Sequence, residues 1–368
     1  MKKVLFISNI PAPYRIDFFN ELGKRCELTV LFEARRAEGI RFNWNEDGAT
    51  NFRTVFLSDG NIDETRVDRR IFSYIKKGMY DHIVATSYGY YTETAALLYM
   101  RMRGVHYDLE IDGGVVRPAE SPVKRFLKRR IIRGATHLFS SGKQADRLFL
   151  HYGARKEQLV RYPFTSLFDQ DLLESVPSAA QKLMQKQALG VPYKTMVLSV
   201  GQFIRRKGFD VLIRAARALP EDAGVYIVGG APTEEYRSLL EEYSLNNVRF
   251  VEFMDKRALA GWFLAADVFT LPTREDMWGL VINEAMANAL PVVTTDRCVA
   301  GVELVADGVN GYLVPVEDPV LLATRIREIL DDDALRASMA AESLKRIRSS
   351  TIEQMARVHE RVFYGGDS

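Results

Sequence analysis

Short apolar runs alternate with stretches of helical periodicity along most of this chain, and that alternation constrains the fold more than any other feature. Val4–Ser8 reads as a buried strand and Asn9-Ile10-Pro11-Ala12-Pro13 as a turn. Tyr14, Phe18 and Leu22 then recur at i, i+4 and i+8 on one helical face, with Phe19 beside them. Pro13 suits a helix start, where its missing N–H needs no partner. Glu27–Phe32 is the next strand, so strand, helix and strand fit into the first 32 residues, the pattern of a right-handed βαβ unit. His82–Thr86, Tyr107–Ile111 and His137–Ser140 continue the strands, with Tyr91–Met102 helical. Residues 34–61 show no clear period and are expected to form an irregular excursion.

A second series begins at Thr195–Val200. Helical stretches Gly208–Ala218, Glu234–Tyr243, Arg257–Ala265 and Gly279–Ala289 alternate with strands Val225–Val228, Val248–Phe253, Val268–Leu271 and Val292–Thr294. Val320–Leu330 and Asp333–Arg346 are helical, and Ile352–Tyr364 is amphipathic, so it is expected to pack rather than dangle. A chain of 368 residues exceeds one typical core. The expected organisation is a first doubly wound α/β domain over 1–170, a linker over 171–194 around Gly190-Val191-Pro192, and a second such domain over 195–345. The tail 346–368 is expected to pack back toward the first domain. Ligands of such folds bind outside the carboxyl ends of the strands, here in a cleft between the domains.

Several chemistries are disfavoured at once. Two cysteines and five scattered histidines offer no disulfide framework and no metal-ligand spacing, so no metal site is expected. No run approaches the roughly 20 apolar residues that span a bilayer, and the first residues lack a secretory pattern, so the expected compartment is the cytoplasm. Neither G-x-S-x-G nor G-x-x-x-x-G-K-[ST] occurs. Net charge is +2, yet residues 1–170 carry 28 basic and 20 acidic residues while 171–368 carry 22 and 28. The basic excess is modest and not interleaved with aromatics, which argues against nucleic acid.

Two segments carry the chemistry. In Leu271-Pro-Thr-Arg-Glu-Asp-Met-Trp-Gly-Leu, a strand end leads through acidic residues to Gly279 and a helix with Glu284 one turn inside. Free N–H groups at that helix start attract phosphate, and an acceptor-only carboxylate suits a ribose diol. The structural alternatives are a packing hydrogen bond for Glu284 and an N-cap role for Asp276. In Ser199-Val-Gly-Gln-Phe-Ile-Arg-Arg-Lys-Gly, three cations precede a helix, where they conflict with the macrodipole unless an anion sits there. A diphosphate would resolve the conflict, with Lys207 as a point charge and Arg205 or Arg206 as a donor fork; solvated surface is the alternative for each. Lys124–Arg133 has six cations with Phe126, Leu127, Ile131 and Ile132 at helical spacing, suited either to an anionic membrane surface or to an ordinary half-buried helix.

Gly201…Lys207-Gly208, Val228-Gly229-Gly230-Ala231-Pro232, Ala266-Asp267-Val268…Leu271-Pro272-Thr273 and Asp276-x-Trp278-Gly279-Leu280-Val281-x-x-Glu284-Ala285-Met286-Ala287 occur in the order found in retaining glycosyltransferases of family 4. Gly308-x-x-Gly311-Tyr312-Leu313-Val314 adds a fifth family-like element. The chain resembles that family over about 195–315, and more generally in layout over 1–194. The resemblance implies the GT-B fold, two Rossmann-like domains facing across a cleft. It also implies transfer of a sugar, with retention, from a UDP- or GDP-sugar to a glycan or lipid-linked acceptor. That would be part of cell-envelope polysaccharide or glycoconjugate synthesis, without a separate cofactor.

By the same resemblance the donor site comprises Gly201, Arg205 or Arg206, Lys207 on the diphosphate, Phe253 near the base, Asp276 near the donor sugar, backbone of Met277, Trp278, Gly279 and Leu280, and Glu284 on the ribose. Gln202 stands where the family places an arginine. Asp112 occupies the setting of a family histidine, and Tyr14, Asp112, Gly113 and Gly114 form the acceptor set, although Asp-Gly-Gly is also an ordinary turn. Asp276, Lys207 and Asp112 are the candidate catalytic groups. The competing readings are an NAD-dependent oxidoreductase, disfavoured because no G-x-G-x-x-G follows Val4–Ser8, and a non-catalytic sugar-binding protein at a membrane surface.

Overall fold

The computed structural model describes residues 1–36, 48–63, 65–116 and 119–366. They divide into two units, Met1–Ser166 with Ser350–Ser368, and Leu167–Ser349. Among the described residues, the first unit holds a parallel sheet of β1 (Lys3–Ser8), β2 (Glu27–Arg36), β3 (Arg53–Asn61), β4 (His82–Ala85), β5 (Asp108–Ile111), β6 (Leu138–Ser140) and β7 (Leu159–Arg161). Their order is β3-β2-β1-β4-β5-β6-β7. Val4, Leu5, Phe6 and Ile7 are fully buried because helices cover both faces, which is why the strand reads as a continuous apolar run.

The second unit repeats the scheme with β8 (Thr195–Val200), β9 (Ala223–Val228), β10 (Val248–Val251), β11 (Val268–Leu271), β12 (Val292–Thr295) and β13 (Gly311–Val314). The order is β10-β9-β8-β11-β12-β13, again all parallel. In both sheets the chain leaves the first strand toward one edge and later returns to its other side. The switch points therefore lie between β1 and β4 and between β8 and β11, and sheets of this kind bind ligands there, outside the strands' carboxyl ends.

Two expectations need correction. The stretch 34–61 is not wholly irregular: β2 continues to Arg36, and Arg53–Asn61 pairs with it in parallel as β3. Only one of its nine residues is buried, as befits an edge strand, so no clean alternation marks it in sequence. The rest of the excursion, 37–47, lies outside the described residues. Residues 171–194 are not a separate linker. They hold the helix Ala179–Ala188, whose Lys186 is buried and donates to Asp267 at 2.6 Å and to the Lys194 carbonyl at 2.6 Å, tying the segment into the second unit. The first unit closes with the helix Ile352–Phe363, which buries Ile352, Met355, Ala356, His359 and Phe363. Among the described residues, no helix is long and apolar enough to cross a membrane.

Candidate functional site

The second unit's switch point is built by two loops. After β8 the chain passes Gly201 and forms a single 3-10 turn, Arg205–Lys207, before Gly208 leads into the helix Phe209–Ala216. After β11 it runs through Pro272–Asp276 to Gly279, the N-cap of the helix Leu280–Ala287. Backbone and side chains join the loops. The Arg274 N–H donates to the Arg206 carbonyl at 2.8 Å, as does the Thr273 hydroxyl at 2.9 Å, and the Arg206 guanidinium donates to the Glu275 carbonyl at 2.8 Å. Gly208 makes this approach possible. Its φ is +70°, and a Cβ there would lie 2.0 Å from the Pro272 carbonyl oxygen. Gly208→Ala should therefore cost at least about 1–3 kcal/mol, read as a lower midpoint in urea unfolding. An unchanged midpoint would show that the loops tolerate separation.

The joined loops bring the two predicted charges together. Lys207 Nζ donates to Asp276 Oδ2 at 2.5 Å, and Arg206 Nη1 lies 3.2 Å from Asp276 Oδ1. Both Lys207 and Asp276 are largely buried, with side chains 14% and 12% exposed. The anion that three cations at a helix start call for is, in this state, the Asp276 carboxylate. A lysine has three donor protons, so Lys207 keeps capacity for a second anionic partner. Asp276 does not cap the helix, whose N-cap is Gly279 with no side-chain bond. The helix's first N–H groups have no partner within the helix, as at any helix start. Glu284 is half-buried in that helix, and its backbone carbonyl accepts the Asn288 amide at 2.9 Å.

Other expected donor residues divide. Arg205 is exposed, Met277 is exposed, and Phe253 is 56% exposed beyond the carboxyl end of β10. The Trp278 side chain is buried and donates from Nε1 to Asn283 at 2.9 Å, while its carbonyl accepts the Ala300 N–H at 2.9 Å. Those bonds hold the helix start against Cys298–Leu304. Gly201 lies under this site: the Lys207 stem packs 3.4 Å from where its Cβ would be, and its carbonyl leaves room for no side chain at Gly229.

Sequence reasoning missed Arg274. It donates to both carboxylate oxygens of Asp210 at 2.8 and 2.7 Å, to the Arg205 carbonyl at 2.6 Å and to Glu317, whose nearer oxygen forms a very short contact. Burial alone would raise the Asp210 pKa, but the hydrogen bonds and charge of Arg274 outweigh it and hold the carboxyl below its ordinary value. The position of an arginine in Thr-Arg-Glu-Asp was visible in sequence; its partners 64 and 43 residues away were not.

In the first unit Asp112 follows β5 at the carboxyl end of the sheet. Its carboxylate accepts Tyr14 Oη at 3.2 Å and pairs with Arg15, which also pairs with Glu110. Asp112 is 28% exposed at its side chain, whereas Arg15 and Glu110 are buried. Burial raises the Asp112 pKa, with Arg15 opposing it. Gly114 is buried, and a Cβ there would lie 3.2–3.3 Å from Ile111 and Leu148. Gly113 is half-buried beside Asp112. Arg15 and Glu110, unsuspected in sequence, are what fix Asp112. Among the described residues, no group of three His, Cys, Asp or Glu side chains is placed to hold a metal ion.

Residues 181–346 match the family described as Glycosyl transferases group 1. The chain is 34% identical over 211 residues to the D-inositol 3-phosphate glycosyltransferase of Xylanimonas cellulosilytica, covering 55% of this chain and 50% of that one. It is 29% identical over 260 residues to the enzyme of that name from Corynebacterium diphtheriae, covering 66% and 59%. The chain thus spans between half and three-fifths of these curated relatives. Its fold matches the crystal structure of Anabaena Alr3699/HepE in complex with UDP and glucose with a TM-score of 0.75. That match covers 99% of this chain and all of the other at 17% identity.

Proposed function

We propose that the chain is a family 4 glycosyltransferase, as the group 1 match in its second unit and its two Rossmann-like units support, and that it transfers a sugar from a nucleoside diphosphate donor with retention. One observation carries the reading furthest. Lys207, Arg206 and Asp276 converge at the switch point of the second sheet, beside a glycine-capped helix start. In this reading Lys207 and the first N–H groups of Leu280–Ala287 bind the diphosphate, and Glu284 accepts from the ribose. Asp276 holds the sugar hydroxyls and keeps the Lys207 ammonium aimed.

As the glycosidic bond breaks, charge grows on the departing phosphate. Fixed cations beside it stabilise that state more than the ground state. Asp112 and Tyr14, at the carboxyl end of the first sheet, receive the acceptor hydroxyl. The Anabaena protein's complex makes UDP-glucose the first donor to test, and the curated relatives make a phosphorylated polyol one candidate acceptor beside a lipid-linked glycan.

A screen of UDP- and GDP-sugars by thermal unfolding tests this. At least one should raise the Tm, since a ligand that binds only the folded state stabilises it. Glu284→Ala should reduce that rise. If no nucleotide sugar shifts the Tm and calorimetry detects no donor, the reading fails.

The helix Pro122–Ile132 supports a peripheral membrane acceptor at the cytoplasmic face. It buries Ile131 and Ile132, while Val123 and Phe126 are 68% and 63% exposed beside exposed Lys124, Arg125, Arg129 and Arg130. Each well-placed cation contributes roughly 1 kcal/mol at an anionic surface. The protein should co-sediment with phosphatidylglycerol vesicles and not with phosphatidylcholine vesicles. Arg125→Glu combined with Phe126→Ser should release it; retention by the double variant would reject this surface.

A further inference from the structure

His359, on the closing helix Ile352–Phe363, is fully buried in the first unit. Its Nδ1 lies 2.8 Å from the Met355 carbonyl oxygen and its Nε2 lies 2.7 Å from Glu110 Oε2. A carbonyl oxygen only accepts. Glu110 is an acceptor too, because it is ionised: against its burial, the Arg15 guanidinium on its other oxygen holds its carboxyl down at about 2. A neutral imidazole carries one N–H and would leave one of these two contacts lone pair against lone pair. Both are satisfied only when both ring nitrogens carry protons.

We infer that His359 is a buried imidazolium that completes a four-group charge cluster with Glu110, Arg15 and Asp112, and thereby holds Asp112 ionised and aimed as a positioning residue. The consequence for turnover rests on the acceptor-side reading of Asp112 given above.

Charge balance explains why the fold keeps such a group. Arg15 and His359 oppose Glu110 and Asp112, so the buried set is neutral. Its walls offer little other compensation. The ring stacks on Phe139 at 4.2 Å and touches Phe6, Phe18 and Phe363. The other titratable groups facing the cluster are Tyr162, whose ring lies 5.4 Å from His359 and whose hydroxyl donates to the Ile111 carbonyl, Tyr14 on Asp112, and buried Glu93 near Arg15, whose carboxyl burial and Glu33 push well above its ordinary value. Both phenols stay neutral, as burial pushes them well above the ordinary range. Burial would raise the Glu110 pKa, but the Arg15 charge and the His359 hydrogen bond hold it down at about 2. Removing the positive ring therefore leaves one uncompensated negative charge, and a proton on the partly exposed Asp112 relieves it most readily.

Charge arithmetic gives a rescue. His359→Gln keeps a donor for Glu110 but loses the cation; adding Glu110→Gln restores neutrality. The full chain, labelled with ¹⁵N-histidine and ¹³C-aspartate, is titrated by NMR in each form. The His359 ring should show two protonated nitrogens at pH 7. The Asp112 carboxyl midpoint should rise by about one pH unit in His359→Gln, a tenfold change in the ratio of ionised to protonated carboxyl, and return in the double variant. An unprotonated ring nitrogen at pH 7 overturns the inference, and that wild-type spectrum decides even where a variant misfolds. So does an unmoved Asp112 midpoint in folded His359→Gln, or a double variant displaced further than the single. UDP release from UDP-glucose is measured in parallel. Undiminished release by Asp112→Asn with the cluster titrating as described would remove the acceptor-side reading and leave the imidazolium standing.

Discussion

Lys207→Ala is expected to lower transfer from the donor by about 10²–10³-fold, the usual consequence of removing one fixed donor from a developing oxyanion. The geometry singles out this residue. Its ammonium is largely buried, fixed by Asp276 at 2.5 Å, and set at the switch point outside the strands' carboxyl ends. Arg206 reaches the same carboxylate at 3.2 Å but with a side chain 44% exposed, so its loss should cost less. Asp276→Asn separates binding from chemistry. It frees Lys207 from its carboxylate, so affinity for UDP alone should hold or rise while transfer falls. Calorimetry with UDP and a UDP-release assay read the two effects. If Lys207→Ala leaves both donor affinity and rate unchanged, the diphosphate is not bound here.

Arg274→Ala is expected to destabilise the second unit by about 2–4 kcal/mol and to disorder the Arg205–Lys207 turn, although Arg274 itself need touch no ligand. Truncation leaves buried Asp210 with Arg214 alone and removes the donor that fastens the Arg205 carbonyl. At about 2–4 °C per kcal/mol for a unit of this size, the Tm falls by several degrees. The pH dependence identifies the cause. Because the Asp210 carboxyl titrates lower in the folded protein than in the unfolded chain, its stabilisation is fully present above the ordinary aspartate value of about 3.9 and is lost as pH falls through the folded value. The Arg274→Ala loss should therefore be largest near neutral pH and shrink in acid. A loss of equal size at all pH values would assign it to packing rather than to the ion pair.

Much of the architecture was legible because burial imposes a period. Strands covered on both faces become apolar runs such as Val4–Ile7, and helices covered on one face repeat every three or four residues, as Tyr14, Phe18 and Leu22 do. Edge positions escaped this logic. Arg53–Asn61 has one strand neighbour and little full burial, so it carried no pattern, and 171–194 looked like a connection because Gly190-Val191-Pro192 punctuates it and its helix buries only Lys186. At the site, Lys207 and Asp276 were identifiable singly from a charge conflict at one helix start and acidic residues before another. The packing of the Trp278 side chain on Asn283, and of Gly114 against Ile111 and Leu148, left no mark in the local pattern.

By itself the sequence determined the alternation, the two parallel sheets and the residue types gathered at each strand end, since these follow from local periodicity and from charges near glycines. Only the tertiary structure decided the pairings: Lys207 with Asp276 across 69 positions, Arg274 with Asp210 across 64 and His359 with Glu110 across 249. Strand order and helix packing set those distances, and a buried ion finds its partner through space, where separation along the chain leaves no trace in local pattern.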